Sequence, residues 1–356
     1  MQQAIIVGCG IVGAMIAYEL TQSGFQVTVL DRQPPAQAAT GAALGVLMGV
    51  ISQKTKGRAW TMRQLSTARY AKLMPELEAA LGRALPWNPQ GILKLGFAAE
   101  DKAKWQALVE LRQQQGWRLE LWSPDQVQAR CPQVQSPVQA GLYSPQDCQV
   151  DPTALTLALV EAAQRQGASF ELDVEVQRLS ANGRLQTSAG DLGADWIVIA
   201  AGLGSAPLLP IPQITLAPVL GQAIRVKTRQ PLGQPQFQPV ITGHDIHLVP
   251  LGNSEYWVGA TVEFDPAENA PIPEQLEAVW QGAVALWPGL QTAIRLASWS
   301  GLRPRPVDRP APIVEPLAGH PRVLLATGHY RNGVLLAPAT AQIIRELIAP
   351  QLTAQR

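Results

Sequence analysis

The sequence contains few cysteines and histidines. Among its 356 residues are three cysteines and four histidines, and every histidine lies after position 243. Three is an odd number, and the spacing of Cys9, Cys131 and Cys148 matches no zinc-binding pattern, so we expect neither a disulfide framework nor a metal site. His244 and His247 are three residues apart in an expected strand, which directs them to opposite faces. This usage predicts a reducing compartment, most simply the cytoplasm.

Charged residues and long apolar runs are also scarce. The formal net charge is +1, and only 15% of the residues are charged. Because no segment concentrates Lys and Arg, nucleic acids and anionic membranes are not expected partners. No run reaches the roughly 18 apolar residues of a membrane-spanning helix, and no basic leader precedes the first expected strand. The 47% hydrophobic content instead predicts a globular protein with a large core and about two domains.

A glycine-rich turn stands at the start of the chain. Residues 4–7 form an apolar run, Gly-Cys-Gly-Ile-Val-Gly follows at 8–13, and 14–20 has the composition of a helix. A second apolar run at 27–30 ends at Asp31. Strand, glycine turn, helix, strand and acid in this order are typical of a dinucleotide-binding unit.

Each of the three glycines in this turn has a physical role in that interpretation. Gly8 permits the tight turn, Gly10 allows the backbone to approach a pyrophosphate, and Gly13 allows the helix to pack closely on the strand. The phosphates would lie at the helix N-terminus, where free N–H groups favour anions. Asp31 stands where a carboxylate binds ribose hydroxyls. The sequence therefore predicts that this protein binds a dinucleotide.

The remaining chain combines two kinds of strand pattern. Apolar runs at 196–200 and 323–326 resemble the first two and indicate a parallel sheet buried on both faces. Between residues 219 and 260, short runs separated by Gly, Pro and Asn indicate antiparallel sheet. Helices are expected at 57–81 (interrupted near Pro75), 101–115, 152–166 and 273–286, and from Gly333 onward. A nucleotide-binding domain made of separated segments is therefore predicted at 1–85, 145–215 and 300–356, with a second domain at 86–144 and 216–299.

Small residues are concentrated between positions 38 and 47. Such a segment allows the backbone to approach a flat, bulky ligand, but it is equally consistent with a tightly packed helix or turn. The composition does not decide between these alternatives.

Several blocks resemble one known family. They are Gly-Ile-Leu-Lys-Leu at 91–95, Val-Asp-Pro at 150–152, Val-Gly-Ala-Thr at 258–261, Gly-Leu-Arg-Pro at 301–304, and Gly-His-Tyr-Arg-Asn-Gly-Val-Leu-Leu-Ala-Pro at 328–338. Together they resemble the D-amino-acid oxidase family of flavoproteins, most closely its glycine oxidase branch. The resemblance implies a Rossmann-type FAD-binding domain and a mixed α/β substrate domain with an antiparallel sheet.

The resemblance also implies an activity. Members of this family bind FAD, here expected to be non-covalent, and oxidise a small amino acid or amine. A hydride passes from the substrate α-carbon to the flavin, the imine hydrolyses, and dioxygen is reduced to hydrogen peroxide. A dehydrogenase with a quinone acceptor and a non-catalytic flavin-binding protein are alternative interpretations. A homo-oligomer is also possible for a chain of this family.

Matching positions provide expected cofactor contacts. The glycine turn and the acid after it would bind the ADP part through Gly8, Gly10, Ile11, Val12, Gly13, Asp31 and Arg32, with Val176 at the adenine. The other expected positions are Ala39, Thr40, Leu44, Gly45 and Val46 at the flavin, Ala201 and Gly202 after the middle strand, and Tyr330, Arg331, Asn332, Gly333, Val334 and Leu335 near the pyrimidine edge.

Substrate contacts are expected at four positions. Arg303 would hold the substrate carboxylate, because a buried carboxylate requires a charged, bidentate partner. From the residues alone, a surface or interdomain ion pair is an equal alternative for Arg303. Arg331 and Tyr330 would lie beside it. His247 stands where the family usually has a tyrosine, and two interpretations remain open: it titrates near pH ~6.5 beside Arg303, or it is neutral and faces the core.

Overall fold

The computed structural model describes residues 2–264, 266 and 270–353 of the chain. The helices in this part are α1 Ile11–Gln22, α2 Gly57–Leu81, α3 Ala99–Gln114, α4 Pro124–Arg130, α5 Pro152–Arg165, α6 Pro273–Leu286 and α7 Gly333–Thr353. Short 3-10 helices lie at Gly202–Leu208, Pro288–Thr292 and Tyr330–Asn332.

The strands of the first half are β1 Gln3–Val7, β2 Gln26–Asp31, β3 Val46–Leu47, β4 Trp87–Asn88, β5 Ile92–Gly96, β6 Glu120–Trp122, β7 Ala140–Ser144, β8 Cys148–Val150, β9 Ser169–Leu172 and β10 Val176–Leu179. Those of the second half are β11 Leu185–Thr187, β12 Gly190–Leu192, β13 Trp196–Ile199, β14 Leu216–Lys227, β15 Val240–Gly243, β16 Ile246–Gly252, β17 Glu255–Gly259, β18 Glu263–Phe264, β19 Ile294–Pro306, β20 Ile313–Leu317 and β21 His320–Thr327.

A six-stranded sheet contains the glycine turn. Its order is β20-β21-β13-β1-β2-β9, and all neighbours are parallel except β20 and β21. One face carries α1, α5 and α7 in a single apolar cluster, and α2 packs on this cluster. The four-residue strand β13 is completely buried, as expected for a parallel sheet covered on both faces.

A second sheet is mostly antiparallel. Its path is β18-β14-β17-β16-β15-β5-β7-β6, and β19 pairs with β14 along the other edge of that strand. Helix α6 covers one face through Trp280, Ala283 and Leu286. The opposite face packs against Leu44 and residues 50–51, which come from the nucleotide-binding side. These two sheets confirm the expected α/β class, with a doubly covered parallel sheet and a separate antiparallel one.

Two segments cross the boundaries expected between domains. Strand β19 continues past residue 300 and pairs with β14 up to Pro306, so residues 300–306 belong to the large sheet. Strand β4, expected in the second domain, pairs with β8 in a small sheet that also contains β3. The division into two domains itself stays a prediction.

Helix α2 does not break at Pro75. The helix runs unbroken from Gly57 to Leu81, with Pro75 inside it. Proline removes one helical hydrogen bond, but Leu73, Met74 and Leu77 around it are buried in the cluster beneath. Packing therefore maintains a helix that the local sequence weakens. Among the described residues, no helix is both long and apolar enough to cross a membrane.

Candidate active site

The glycine turn between β1 and α1 leaves the helix N-terminus open. Gly8 has a φ of +107°, and a Cβ on Gly13 would lie 1.9 Å from the Gly8 carbonyl oxygen. Helix α1 begins at Ile11 without a side-chain cap from Gly10, and the Ile11 N–H donates to Thr40 Oγ1 at 3.1 Å. Thr40 therefore occupies the Ile11 amide, while the following first-turn amides of a helix lack a partner in their own helix and can bind phosphate, so the turn fits the pyrophosphate of a dinucleotide.

Asp31 lies at the end of β2, beside this turn. Its Oδ2 accepts the Cys9 N–H at 2.6 Å, and its Oδ1 accepts the Gln33 N–H at 3.1 Å. Arg32, by contrast, is an exposed side chain that pairs with Glu175 at 3.6 Å. The structure therefore brings the Asp31 carboxylate, but not the Arg32 guanidinium, to the glycine turn.

The other positions expected at the nucleotide lie beside the six-stranded sheet. Ala201 is the second residue after β13, and its Cα would be 2.9 Å from a Cβ on Gly8. Gly202 has a φ of +57°, and its carbonyl accepts the Thr327 hydroxyl at 2.9 Å. Val176 begins β10 in a separate three-stranded sheet, is half-buried and packs against the apolar cluster that contains Leu30 of β2.

The small-residue segment is a turn followed by a short strand, not a helix. Residues 39–42, including Ala39 and Thr40, lie in the turn, and Val46 pairs with Gln149 across β3 and β8. Gly45 has a φ of +67°, and a Cβ there would lie 1.8 Å from the Val150 carbonyl oxygen. The Leu44 carbonyl accepts the Gln149 side-chain amide at 3.2 Å. Close backbone contact explains the small residues.

A buried acid and a buried arginine hold the loop that follows β3. The Asp147 carboxylate accepts the N–H groups of residues 49–51, each at 2.8 Å. Arg112, which is 0% exposed, donates to the carbonyls of residues 50, 52 and 54 and lies 3.5 Å from the Trp60 ring. Burial raises the pKa of Asp147 to about 6, although the three N–H donors oppose this shift. Sequence reasoning missed both residues, because neither lies in a recognisable motif.

The block at 328–338 forms a tight turn into α7. Gly328 and Tyr330 have φ values of +66° and +53°, and α7 begins at Gly333. Asn332 Oδ1 accepts Arg63 Nη2 at 3.2 Å, and the Val334 carbonyl accepts the Tyr70 hydroxyl at 2.5 Å. A helix N-terminus favours negative charge, so this turn suits the expected pyrimidine edge of a flavin. Leu335 is buried in the first turn of the helix.

Arg303 projects from β19 over the neighbouring strand. Its Nη1 donates to the Leu220 carbonyl at 2.8 Å, and its Nη2 donates to the Thr261 carbonyl at 3.0 Å. No carboxylate in the described part of the chain forms an ion pair with it; Glu263 lies nearby, but its oxygens accept Gln222 and Thr261. Burial and the charge of Arg331 lower the pKa of Arg303. Within the described residues, the ion-pair alternative therefore has no acidic partner to support it, and the role of Arg303 as carboxylate anchor stays a prediction.

His247 lies close to both arginines, on β16 opposite Gly259. Burial and the charges of Arg331 and Arg303 lower the pKa of His247 to about 4. This direction favours the interpretation in which His247 is neutral over titration near pH 6.5. The buried Nδ1 of this half-buried residue has no hydrogen-bond partner among the described residues. Arg331 is exposed and Tyr330 half-buried. Because Arg331 and Tyr330 both act electrostatically on Arg303, and both arginines act on His247, the structure brings all four expected substrate residues to one region.

Comparison with known proteins agrees with this geometry. The sequence profile of the FAD dependent oxidoreductase family matches residues 3–347. The chain belongs to this family. It is therefore a flavoprotein enzyme with FAD as its cofactor, which the uncapped α1 N-terminus and the glycine turn fit. The resemblance found in the sequence is confirmed.

Individual relatives share most of the chain. The "Bifunctional protein ThiO/ThiG" of Nostoc sp. is 32% identical over 353 residues, which are 98% of this chain and 52% of that protein. The chain thus spans about half the length of such relatives. The "Glycine oxidase" of Bacillus subtilis is 28% identical over 358 residues, with 97% and 92% of the two chains covered. The crystal structure of glycine oxidase from Geobacillus kaustophilus matches with a TM-score of 0.88 at 25% identity, over 98% of this chain and 95% of that one.

Proposed function

We propose that this protein oxidatively deaminates a small amino acid that is anchored through its carboxylate. The observation that carries this proposal is Arg303. Its guanidinium is oriented by two carbonyl oxygens, has no acidic partner among the described residues, and lies beside a second arginine. A half-buried cation arranged in this way matches a carboxylate ligand. The glycine oxidase relatives support the same class of substrate.

The reaction balances as a two-electron oxidation. FAD, when bound, would supply the acceptor for the hydride that leaves the substrate α-carbon. The amine lone pair forms the C=N bond of an iminium ion, which releases one N–H proton to give the imine. Water then hydrolyses the imine to an oxo acid and ammonia. Dioxygen, with two protons, takes up the two electrons as hydrogen peroxide.

The protein's own residues contribute position and charge. Arg303 fixes the carboxylate, and the charge of Arg331 adds to the attraction for an anion. His247 adds no charge, because its pKa near 4 keeps the ring neutral at physiological pH. The substrate amine must also be neutral to release hydride, and the positive charges of Arg303 and Arg331 favour that neutral form because they repel an ammonium group. No acid–base pair is required for this chemistry.

Peroxide release should be measured with glycine, sarcosine and a panel of D- and L-amino acids, alongside amines that lack a carboxylate. We expect turnover of carboxylate substrates, and Arg303→Ala should weaken their binding by roughly 2–5 kcal/mol, as for a buried charge left unpaired. Arg305→Ala is the matched control, since Arg305 lies two residues along the strand and over the Phe264 ring.

The outcomes separate the alternatives. Reduction of a quinone without peroxide would indicate a dehydrogenase, and absence of any turnover would indicate a flavin-binding protein. An unchanged Michaelis constant in Arg303→Ala for every carboxylate substrate would show that Arg303 is not the anchor.

We further propose that FAD is held non-covalently. Relatives with attached flavin use a Cys or a His, but this sequence has no Cys after Cys148 and no His before His244. Acid precipitation should leave the flavin in the supernatant. Flavin in the washed pellet would contradict this.

A further inference from the structure

Arg63, on α2, is a buried cation with an unused donor. The residue is 9% exposed. Its Nη1 donates to the Ala59 carbonyl in its own helix at 2.8 Å, and its Nη2 donates to Asn332 Oδ1 at 3.2 Å. Its Nε is buried without a hydrogen-bond partner in the part of the chain that the structure describes. A buried N–H of this kind is rare in folded proteins and calls for an acceptor.

No acidic side chain among the described residues pairs with Arg63. Burial lowers the pKa of Arg63, and the charge of Asp147 opposes this shift. Asp147 is already occupied by the three N–H groups of residues 49–51. Burying a guanidinium without a counter-charge is costly. A cofactor with oxygen acceptors and a negative charge in one of its redox states would offset that cost.

The position of Arg63 identifies the cofactor region it faces. The side of α2 that carries Arg63 also forms hydrogen bonds to the first turns of α7. Tyr70 donates to the Val334 carbonyl, and Ser66 Oγ accepts the Ala339 N–H at 3.3 Å. Thr67 lies against Gly49, where a Cβ would come within 2.1 Å of the threonine hydroxyl. Helix α2 thus connects the loop after β3 with residues 332–339, and both segments adjoin positions that the family resemblance assigns to the flavin.

We propose that Arg63 is a further cofactor-binding residue, whose free Nε–H donates to the pyrimidine part of FAD. Its positive charge adds to that of the α7 N-terminus and stabilises the negative charge of the reduced cofactor. This inference depends on the placement of the flavin beside residues 330–335, but not on the identity of the substrate.

Sulfite binding tests the proposal without turnover, because sulfite adds to oxidised flavins and leaves negative charge on the ring. Its dissociation constant is followed by the loss of visible flavin absorbance in wild type, Arg63→Met, Arg63→Lys and Tyr70→Phe. We expect Arg63→Met to weaken sulfite binding about tenfold. An equal, tenfold effect on the two-electron reduction of the bound flavin would make its midpoint potential in Arg63→Met about 30 mV lower than in wild type. The sulfite dissociation constant of Arg63→Lys should fall between those of wild type and Arg63→Met. Tyr70→Phe removes a hydrogen bond to the same segment but no charge, so its constant should match wild type.

Thermal melting of the apoprotein separates a cofactor contact from a structural role. Because the unpaired cation is costly without FAD, the Arg63→Met apoprotein should melt at or above the wild-type apoprotein, and the increase on adding FAD should shrink. Failure of Arg63→Met to bind FAD would support the proposal if its apoprotein still melts like wild type.

Three results would overturn it. One is a sulfite dissociation constant and a flavin midpoint potential in Arg63→Met that equal those of wild type. Another is an Arg63→Met apoprotein that no longer folds. The last is an equal loss of sulfite affinity in Tyr70→Phe, which would assign the effect to the shape of the segment. Since sulfite needs no substrate, failure of the proposed amino-acid oxidation would leave this measurement intact.

Discussion

The backbone of Gly221 lies directly under the guanidinium of Arg303. A Cβ on Gly221 would come within 1.9 Å of Arg303 Nη2 and 2.2 Å of its Cζ. The two residues are on paired strands, since Gly221 is opposite Gly301 in the register of β14 and β19. Arg303 can therefore reach the Leu220 and Thr261 carbonyls only because position 221 has no side chain.

Gly221→Ala should displace Arg303 without removing it. The added methyl occupies the position of the guanidinium, so we expect the Michaelis constant of carboxylate substrates to rise by about tenfold or more, as for loss of a charged hydrogen bond. FAD content should be unchanged. Gly204→Ala is a suitable control, because its Cβ would meet nothing closer than 3.7 Å. Normal substrate affinity in Gly221→Ala would mean that the arginine binds substrate in another conformation.

Asp31→Asn should weaken FAD binding while leaving the apoprotein intact. The amide oxygen of asparagine can still accept one of the N–H groups of Cys9 and Gln33, but the negative charge beside the expected ribose is lost. The cost should be on the order of 1.5–3 kcal/mol in FAD affinity, measured by fluorescence titration of apoprotein. Arg32→Ala should have little effect, since Arg32 is exposed and paired with Glu175. Equal FAD affinity in wild type and Asp31→Asn would limit Asp31 to a role in the turn.

His247 should not contribute a titration to catalysis near neutral pH. With a pKa of about 4, its ring is neutral throughout the range in which the substrate amine loses its proton. The value of kcat/KM should therefore rise with pH as the substrate amine loses its proton. The His247→Tyr variant should give a curve of the same shape. An inflection near pH 6.5 in wild type, absent from His247→Tyr, would show that the imidazole is charged in solution.

His329 should make the protein sensitive to acid. It is 4% exposed, its Nε2 lies 2.9 Å from Thr340 Oγ1, and burial lowers its pKa to about 3. Between this value and about 6.5, the unfolded chain binds a proton that the folded chain does not. The stabilising effect of the neutral ring is thus complete above about pH 6.5 and is lost progressively as the pH falls toward 3, by about 2 kcal/mol at pH ~5.

His329→Gln provides the comparison, because glutamine keeps a hydrogen-bonding group but does not titrate. Urea unfolding of the FAD-saturated proteins should show a smaller loss of unfolding free energy between pH 7.5 and 5 in His329→Gln than in wild type. Asp147, whose raised pKa acts in the opposite direction, is present in both proteins and cancels. Identical pH dependence in the two would contradict a neutral buried His329.

Local patterns allowed part of the site to be predicted. Gly8, Gly13 and Asp31 were recognisable because a glycine turn acts through its own backbone, over a span of about thirty residues. Arg303 and Arg331 were found only through the resemblance of their blocks to a family. Nothing in the spacing of Asp147, Arg112 and the loop after β3 indicates that they meet, because they are joined by strand pairing and packing between distant segments.

The sequence by itself determined the family and the cofactor, since these depend on residue types in fixed local order. Only the tertiary structure indicates a lowered pKa for His247 and shows that Arg63 Nε has no acceptor among the described residues. Both follow from burial and from charges that are remote in sequence, such as Arg331 beside His247. Desolvation and Coulomb interactions depend on distances in space, and chain folding sets those distances.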